Sequence, residues 1–283
     1  MSNKAEIKHP YPDSPSLDER SLYLRRLAIK ALEGGGRGHI GSTMSLIEIL
    51  RVLYDDILKY QPDDPKWEER DRCILSKGHG CIALYAILAD KGFFDIELLD
   101  TFCKKESILG GHPDAGKVPG VEASTGALGH GFPIGVGIAI ALKVKNIAGK
   151  VFVIMGDGEI NEGSVWEAAM CANKHRLENL VAIIDYNKIQ SAGTTAEIQD
   201  LEPLLDKWKS FGFATNEVDG HNVTSLREVF RKIPLERNKP TAIICHTVKG
   251  KGISIAEDDP AWHHKSSISA DLVKEIYSAL ESD

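Results

Sequence analysis

Gly156-Asp157-Gly158-Glu159 follows an apolar run over 151–155, and Asp185-Tyr186-Asn187-Lys188-Ile189 follows a second apolar run over 180–184. The stretch between them, 162–174, reads as helix. A strand, a helix and a strand in that order make a crossover whose two strands are parallel and adjacent. Asp157 and Asn187, 30 residues apart, must then emerge at the same carboxyl edge of one sheet, where open α/β sheets bind ligands. Two hard oxygen donors beside glycines that admit a phosphate suit a divalent cation holding a diphosphate. The plain alternative is a strand-helix-strand unit closed by a polar turn.

Composition removes other classes. No run of about 18 apolar residues is present, so no membrane span is expected. The first 15 residues lack an apolar segment of the secretory type. A net charge of −7 with no long basic block argues against nucleic acid or an anionic membrane as partner. The five cysteines, Cys73, Cys81, Cys103, Cys171 and Cys245, are odd in number and show no CxxC pair. Reduced, mostly buried thiols and a cytoplasmic location are the expectation.

Residues 1–15 read as an extended arm carrying Pro10, Pro12 and Pro15, and 16–283 as one domain. Ser16-Leu17-Asp18-Glu19 fits a capping box opening a helix that Gly34 ends. Further helices are expected over 44–53, 81–90, 132–145, 224–233 and 270–280, and strands over 71–75, 215–218 and 241–246. The alternation of β and α predicts an α/β fold: a doubly wound, mostly parallel sheet flanked by helices. Residues 107–131 are glycine-rich without regular pattern, and a loop of that length inside a domain is usually functional.

Five of the ten histidines directly follow glycine: His39, His79, His112, His130 and His221. Glycine permits close ligand approach, and histidine exchanges protons near neutrality. Several such turns together point to a chemical site rather than to polar surface loops. Zinc spacing is absent: there is no HExxH and no cysteine pair near a histidine pair. Lys249-Gly250-Lys251-Gly252 is expected after a strand and could reach a phosphate, or be only a flexible basic turn. It is not a Walker loop, and Asn161 breaks the dinucleotide fingerprint.

The ordered motifs GRGHIGS (36–42), SKGHG (76–80), GGHPD (110–114), GVEASTGALGHG (120–131), GDGEINEG (156–163), DYNKIQ (185–190) and WHH (262–264) cover nearly the whole chain. Together they resemble the amino-terminal, thiamine diphosphate-binding half of a transketolase. The resemblance implies that the Asp157 and Asn187 side chains and the Ile189 carbonyl bind Mg²⁺ or Ca²⁺. It implies thiamine diphosphate contacts from His79, Gly126, Leu128, Gly158, Glu159, Asn187 and His263. His39, His112 and His263 would be catalytic, stabilising substrate hydroxyls and developing charge. Glu162 and Glu167 would lie on a subunit interface. The sequence departs from the common pattern at Ile40-Gly41-Ser42, His130, Tyr186 and His264, and none of these removes a ligand.

A full transketolase is over twice this length, and its second domain supplies the glutamate that activates the cofactor. The resemblance therefore implies an N-terminal subunit of a split enzyme. A C-terminal subunit would supply the pyrimidine-binding domain, giving a heterotetramer with sugar phosphates as substrates. The alternatives are a non-catalytic cofactor- or partner-binding subunit, or a related enzyme acting on a variant sugar.

Overall fold

The structure is a computed structural model that describes residue 7 and residues 9–281. Much of the expected N-terminal arm lies outside the described residues.

Five parallel strands form one sheet: β1 (Arg72–Leu75), β2 (Val151–Gly156), β3 (Leu180–Tyr186), β4 (Ala214–Asp219) and β5 (Thr241–His246), in the order β1-β2-β3-β5-β4. Every residue of β2 and β3 is buried, which is why both read as unbroken apolar runs rather than alternating ones. Alternation is still present in what each side chain touches. Val151, Val153 and Met155 face one core, and Phe152 and Ile154 face the other.

One core is covered by α1 (Glu19–Gly35), α2 (Ile40–Met44), α3 (Ile47–Val52), α4 (Cys81–Asp90), α9 (Val223–Arg231) and α10 (Ala270–Glu281). The other is covered by α5 (Gly131–Val144), α6 (Gly163–Lys174) and α8 (Leu204–Ser210), with Phe132, Val165 and Trp208 buried there. A single turn, α7 (Thr195–Ile198), precedes α8. The sheet is thus wound on both faces, as the alternating pattern predicts. Among the described residues, no helix is long and apolar enough to cross a membrane.

Local boundaries differ from the sequence expectation where side-chain chemistry decides them. The cap of α1 is Asp18, not Ser16, because the Asp18 carboxylate accepts from Ser21 N at 2.9 Å. Gly34 does not end this helix; Gly36 does, at φ 62°, a left-handed conformation that glycine adopts without a Cβ penalty. The helix expected over 44–53 is realised as α3 over Ile47–Val52, set off from the earlier α2, which ends at Met44, by a turn at 45–46 and followed by a π-helical turn over Leu53–Ile57. α7 and α8 have no counterpart in the sequence expectation, and both are too short to display a clear helical period.

The start of α5 lies hard against the end of β1. An ideal Cβ on Gly131 would sit 2.7 Å from Ser76 Cβ and 2.8 Å from Ser76 Cα. Backbone that close cannot rotate away, so Gly131→Ala is expected to cost about 1–3 kcal/mol by overpacking. Urea unfolding monitored by circular dichroism measures it; an unchanged midpoint would show that α5 can slide.

Candidate cofactor and substrate cleft

β2 and β3 pair in register with Gly156 opposite Asp185. Both chains turn there, so Asp157 and Asn187 leave adjacent strands at the carboxyl edge. A cleft of about 240 Å³ opens at this edge. Its walls include every residue that the sequence singled out as catalytic, cofactor-binding or metal-binding: His39, His79, His112, Gly126, Leu128, Asp157, Gly158, Glu159, Asn187, Ile189 and His263.

The histidines arrive from four separate segments. His39 precedes α2, His79 sits in a short helical turn before α4, His112 lies in the long irregular segment, and His263 follows the last 3₁₀ turn. They converge on His39. Its ring centroid is 5.3 Å from that of His79, 5.4 Å from His263, 6.5 Å from His112 and 4.5 Å from His264. Burial pushes His39 down to about 4, helped by His264 and His112 nearby. Burial pushes His263 down to about 3, with Lys249 adding to it. His79 is lowered strongly and His112 less so, both by burial. These rings are neutral imidazoles at pH 7, each with one donor and one acceptor nitrogen.

The oxygen donors form the other end. Asp157 is 3% exposed. Its Oδ1 accepts from Gly158 N at 2.7 Å and its Oδ2 from Lys188 N at 2.5 Å. Among the described residues no ion pair to Asp157 is formed. Burial, and then the charge of Asp185, raise its pKa to about 6. A buried carboxylate without a cation, beside the Asn187 side chain and the Ile189 carbonyl, is a donor set suited to a hard divalent ion. The residues present therefore fit Mg²⁺ or Ca²⁺.

Two expected contacts have other partners in the structure. The Gly158 N–H donates to Asp157, and the Ile189 carbonyl accepts from Lys249 Nζ at 2.9 Å. The Glu159 carboxylate is likewise occupied: it accepts from Ser76 Oγ, from Gly129 N at 3.0 Å and from Gly156 N at 3.2 Å. It ties the glycine-rich segment to the end of β2. Gly126, at φ 148°, lies beside the His112 ring, where a Cβ would come within 3.0 Å of the imidazole. Leu128 is exposed at the cleft, as are Glu162 and Glu167 on the surface beyond it.

Sequence reasoning missed Ser42, Lys77, Gln190 and Ser191, which also line the cleft. It leaves Lys249 undecided between phosphate contact and flexible turn. The structure buries Lys249 at 1% exposure, and burial lowers its pKa to about 8. Lys77, equally buried, pairs with Asp185 at 2.5 Å. The signal for Lys77 is present in the sequence: a lysine inside SKGHG, directly after a strand, must follow the chain into the same edge.

Residues 18–283 match the family described as "Transketolase, thiamine diphosphate binding domain". The chain belongs to the transketolase family. It is 45% identical over 249 residues to one of the subunits of the apulose-4-phosphate transketolase of Phocaeicola vulgatus, covering 88% of each chain. It is 41% identical over 267 residues to a 6-deoxy-6-sulfo-D-fructose transketolase subunit of a Clostridium species, covering 94% of this chain and 97% of the relative. Among solved structures it is similar to the transketolase of Pichia stipitis in complex with sedoheptulose 7-phosphate, with a TM-score of 0.85 and 31% identity over 93% of this chain. It spans only 40% of that transketolase's length, whereas it spans 88% and 97% of the two relatives named as subunits.

Proposed function

We propose that this transketolase-family chain is the amino-terminal, diphosphate-binding subunit of a two-chain transketolase. The observation that carries the reading is the single cleft in which Asp157, Asn187 and Ile189 meet His39, His79, His112 and His263. The reaction moves a two-carbon ketol unit from a ketose, commonly a phosphate, to an aldose. Thiamine diphosphate, when bound, supplies the carbon nucleophile and the electron sink for that bond exchange.

The protein's part is binding, orientation and proton placement. Asp157, Asn187 and the Ile189 carbonyl hold Mg²⁺ or Ca²⁺, which neutralises the diphosphate. His79, His263, Gly158 and Glu159 lie beside that group, and Gly126 and Leu128 border the rest of the cofactor. His39, His112 and His263, neutral through burial, exchange hydrogen bonds with substrate hydroxyls as charge develops on oxygen. The near full-length match to two relatives named as transketolase subunits, 97% and 88% of their own lengths, supports a partner chain that completes the site with the cofactor-activating glutamate. Exposed Glu162 and Glu167 fit an interface with that partner, and a heterotetramer follows if each chain is present twice. Five unpaired cysteines support a reducing, cytoplasmic setting.

Calorimetric titration of thiamine diphosphate with Mg²⁺ tests the reading, first into this chain alone and then into its mixture with a candidate carboxy-terminal chain. Binding and ketol transfer are expected in the mixture and not with the isolated chain. Turnover by the isolated chain would sink the two-chain reading, and a mixture that binds without turnover would point to a non-catalytic role.

A further inference from the structure

Behind the cleft wall lies a buried charged group that the reaction does not touch. Arg25 of α1 and Glu48 of α3 are both 0% exposed. They form a bidentate pair, Nη1 to Oε1 at 2.5 Å and Nη2 to Oε2 at 3.0 Å. His221, in the turn between β4 and α9, places Nδ1 2.8 Å from Glu48 Oε2. Its Nε2 accepts from Val248 N at 2.8 Å. Burial alone would raise the Glu48 carboxyl, but Arg25 and His221 hold it well below the usual range.

The proton positions follow from donor and acceptor capacity alone. A carboxylate only accepts, so His221 Nδ1 carries the proton. A backbone amide only donates, so His221 Nε2 is a lone pair. His221 is therefore locked as a neutral ring, and its lone pair anchors the first residues after β5. Arg25 holds the same segment further on through Nε to Lys251 O at 2.9 Å, and Gly250 N donates to Gly41 O at 3.1 Å.

Lys249 stands in the middle of that anchored segment. Its ammonium has three N–H donors and three acceptors: Ile189 O at 2.9 Å, Gln190 O at 3.2 Å and His263 Nδ1 at 3.0 Å. An ammonium cannot accept, so His263 Nδ1 is a lone pair and the ring proton sits on Nε2. The ring is thereby set as a donor through its other nitrogen.

We propose that Arg25, Glu48 and His221 are positioning residues that fix the Val248 amide, hence Lys249, and hence His263 as an Nε2–H donor in the cleft. They act in series: a carboxylate orients an imidazole, the imidazole orients a backbone amide, and the amide aims an ammonium at three groups of the cleft wall. The same logic governs outer-shell partners of metal ligands, whose loss costs about 10–100-fold in affinity. The effect on cofactor affinity rests on the diphosphate reading of the cleft; the effect on His263 does not.

Two substitutions separate positioning from bulk stability. His221→Gln carries its amide oxygen near the place of Nε2 and keeps an acceptor for Val248 N–H. His221→Asn reaches only the place of Nδ1, so it can still serve Glu48 but not Val248. Thiamine diphosphate with Mg²⁺ is titrated into whichever assembly binds it in the wild type, and thermal midpoints are recorded alongside. His221→Asn and His221→Ala are expected to bind about 10-fold more weakly or worse, with His221→Gln close to wild type. Equal affinities for the Asn and Gln variants, or a loss that merely follows the thermal midpoint, would overturn the proposal. Imidazole ¹⁵N spectra of the full chain give a readout without cofactor: His221 as Nδ1–H and His263 as Nε2–H, with the His263 pattern becoming mixed in His221→Ala. A His263 proton on Nδ1 in the wild type overturns the proposal. A wild type that takes up no thiamine diphosphate but shows both tautomers retains the bracing and discards the diphosphate reading.

Discussion

Asp157→Ala is expected to abolish Mg²⁺-dependent uptake of thiamine diphosphate while leaving the fold in place. Asp157 is the only carboxylate in the proposed metal set; Asn187 and Ile189 contribute neutral oxygens. Removing it takes away the one full negative charge that faces the cation, and metal sites with missing ligands lose most of their affinity. The carboxylate costs the apo fold something, since burial and Asp185 raise its pKa to about 6. Its removal relieves that cost but leaves the Gly158 and Lys188 amides without their acceptor, so only a modest net change in stability is expected without metal, smaller than the loss of one partner of a buried ion pair. Isothermal titration with and without chelator reads the binding, and urea unfolding reads the stability. Retained metal-dependent binding would refute the metal assignment; loss of binding together with unfolding would mean that Asp157 is structural.

The second large effect is on stability. Asp185 is 0% exposed and accepts from Lys77 Nζ at 2.5 Å, Ser45 Oγ at 2.6 Å and Thr247 Oγ1. Burial alone would raise its pKa, but Lys77 and these hydroxyls hold it below the usual carboxylate value. Asp185→Ala strands a buried ammonium and two hydroxyls. Breaking one side of a buried pair costs about 3–5 kcal/mol, against a total of about 5–15 kcal/mol for a typical domain. The double variant Lys77→Met/Asp185→Ala should lose less than the two single variants added together, because neither charge is left alone. Chemical unfolding of the three variants checks this. Additive losses would show that the pair does not interact as its geometry states.

The elements at the cleft are readable in sequence to different degrees. β2, α6 and β3 are legible because strands buried on both faces read as continuous apolar runs, and because a crossover can join them in only one hand. The opposite fates of Asp157 and Asp185 are not legible. Both follow or end an apolar strand, yet Asp185 faces Lys77 in the interior and Asp157 faces the cleft. Ser16 and Asp18 are both good caps for α1, and only the contact to Ser21 N selects the second. The break between α2 and α3 leaves no mark in the apolar pattern, since every residue from Ile40 to Tyr54 is buried and no polar face discloses the period.

Local periodicity and chain handedness were enough to define the strand-helix-strand unit and its carboxyl edge, and hence to put Asp157 and Asn187 in one site. They also located the glycine–histidine turns one at a time. Three outcomes came from the packed chain instead. His39 stands at the centre of those rings, Lys249 is a buried donor rather than a flexible turn, and His221 belongs to a bracket with Glu48, 173 residues away in the chain. Each depends on burial and on contacts between distant segments, and a one-dimensional pattern carries neither the depth of a group nor the partner that meets it there.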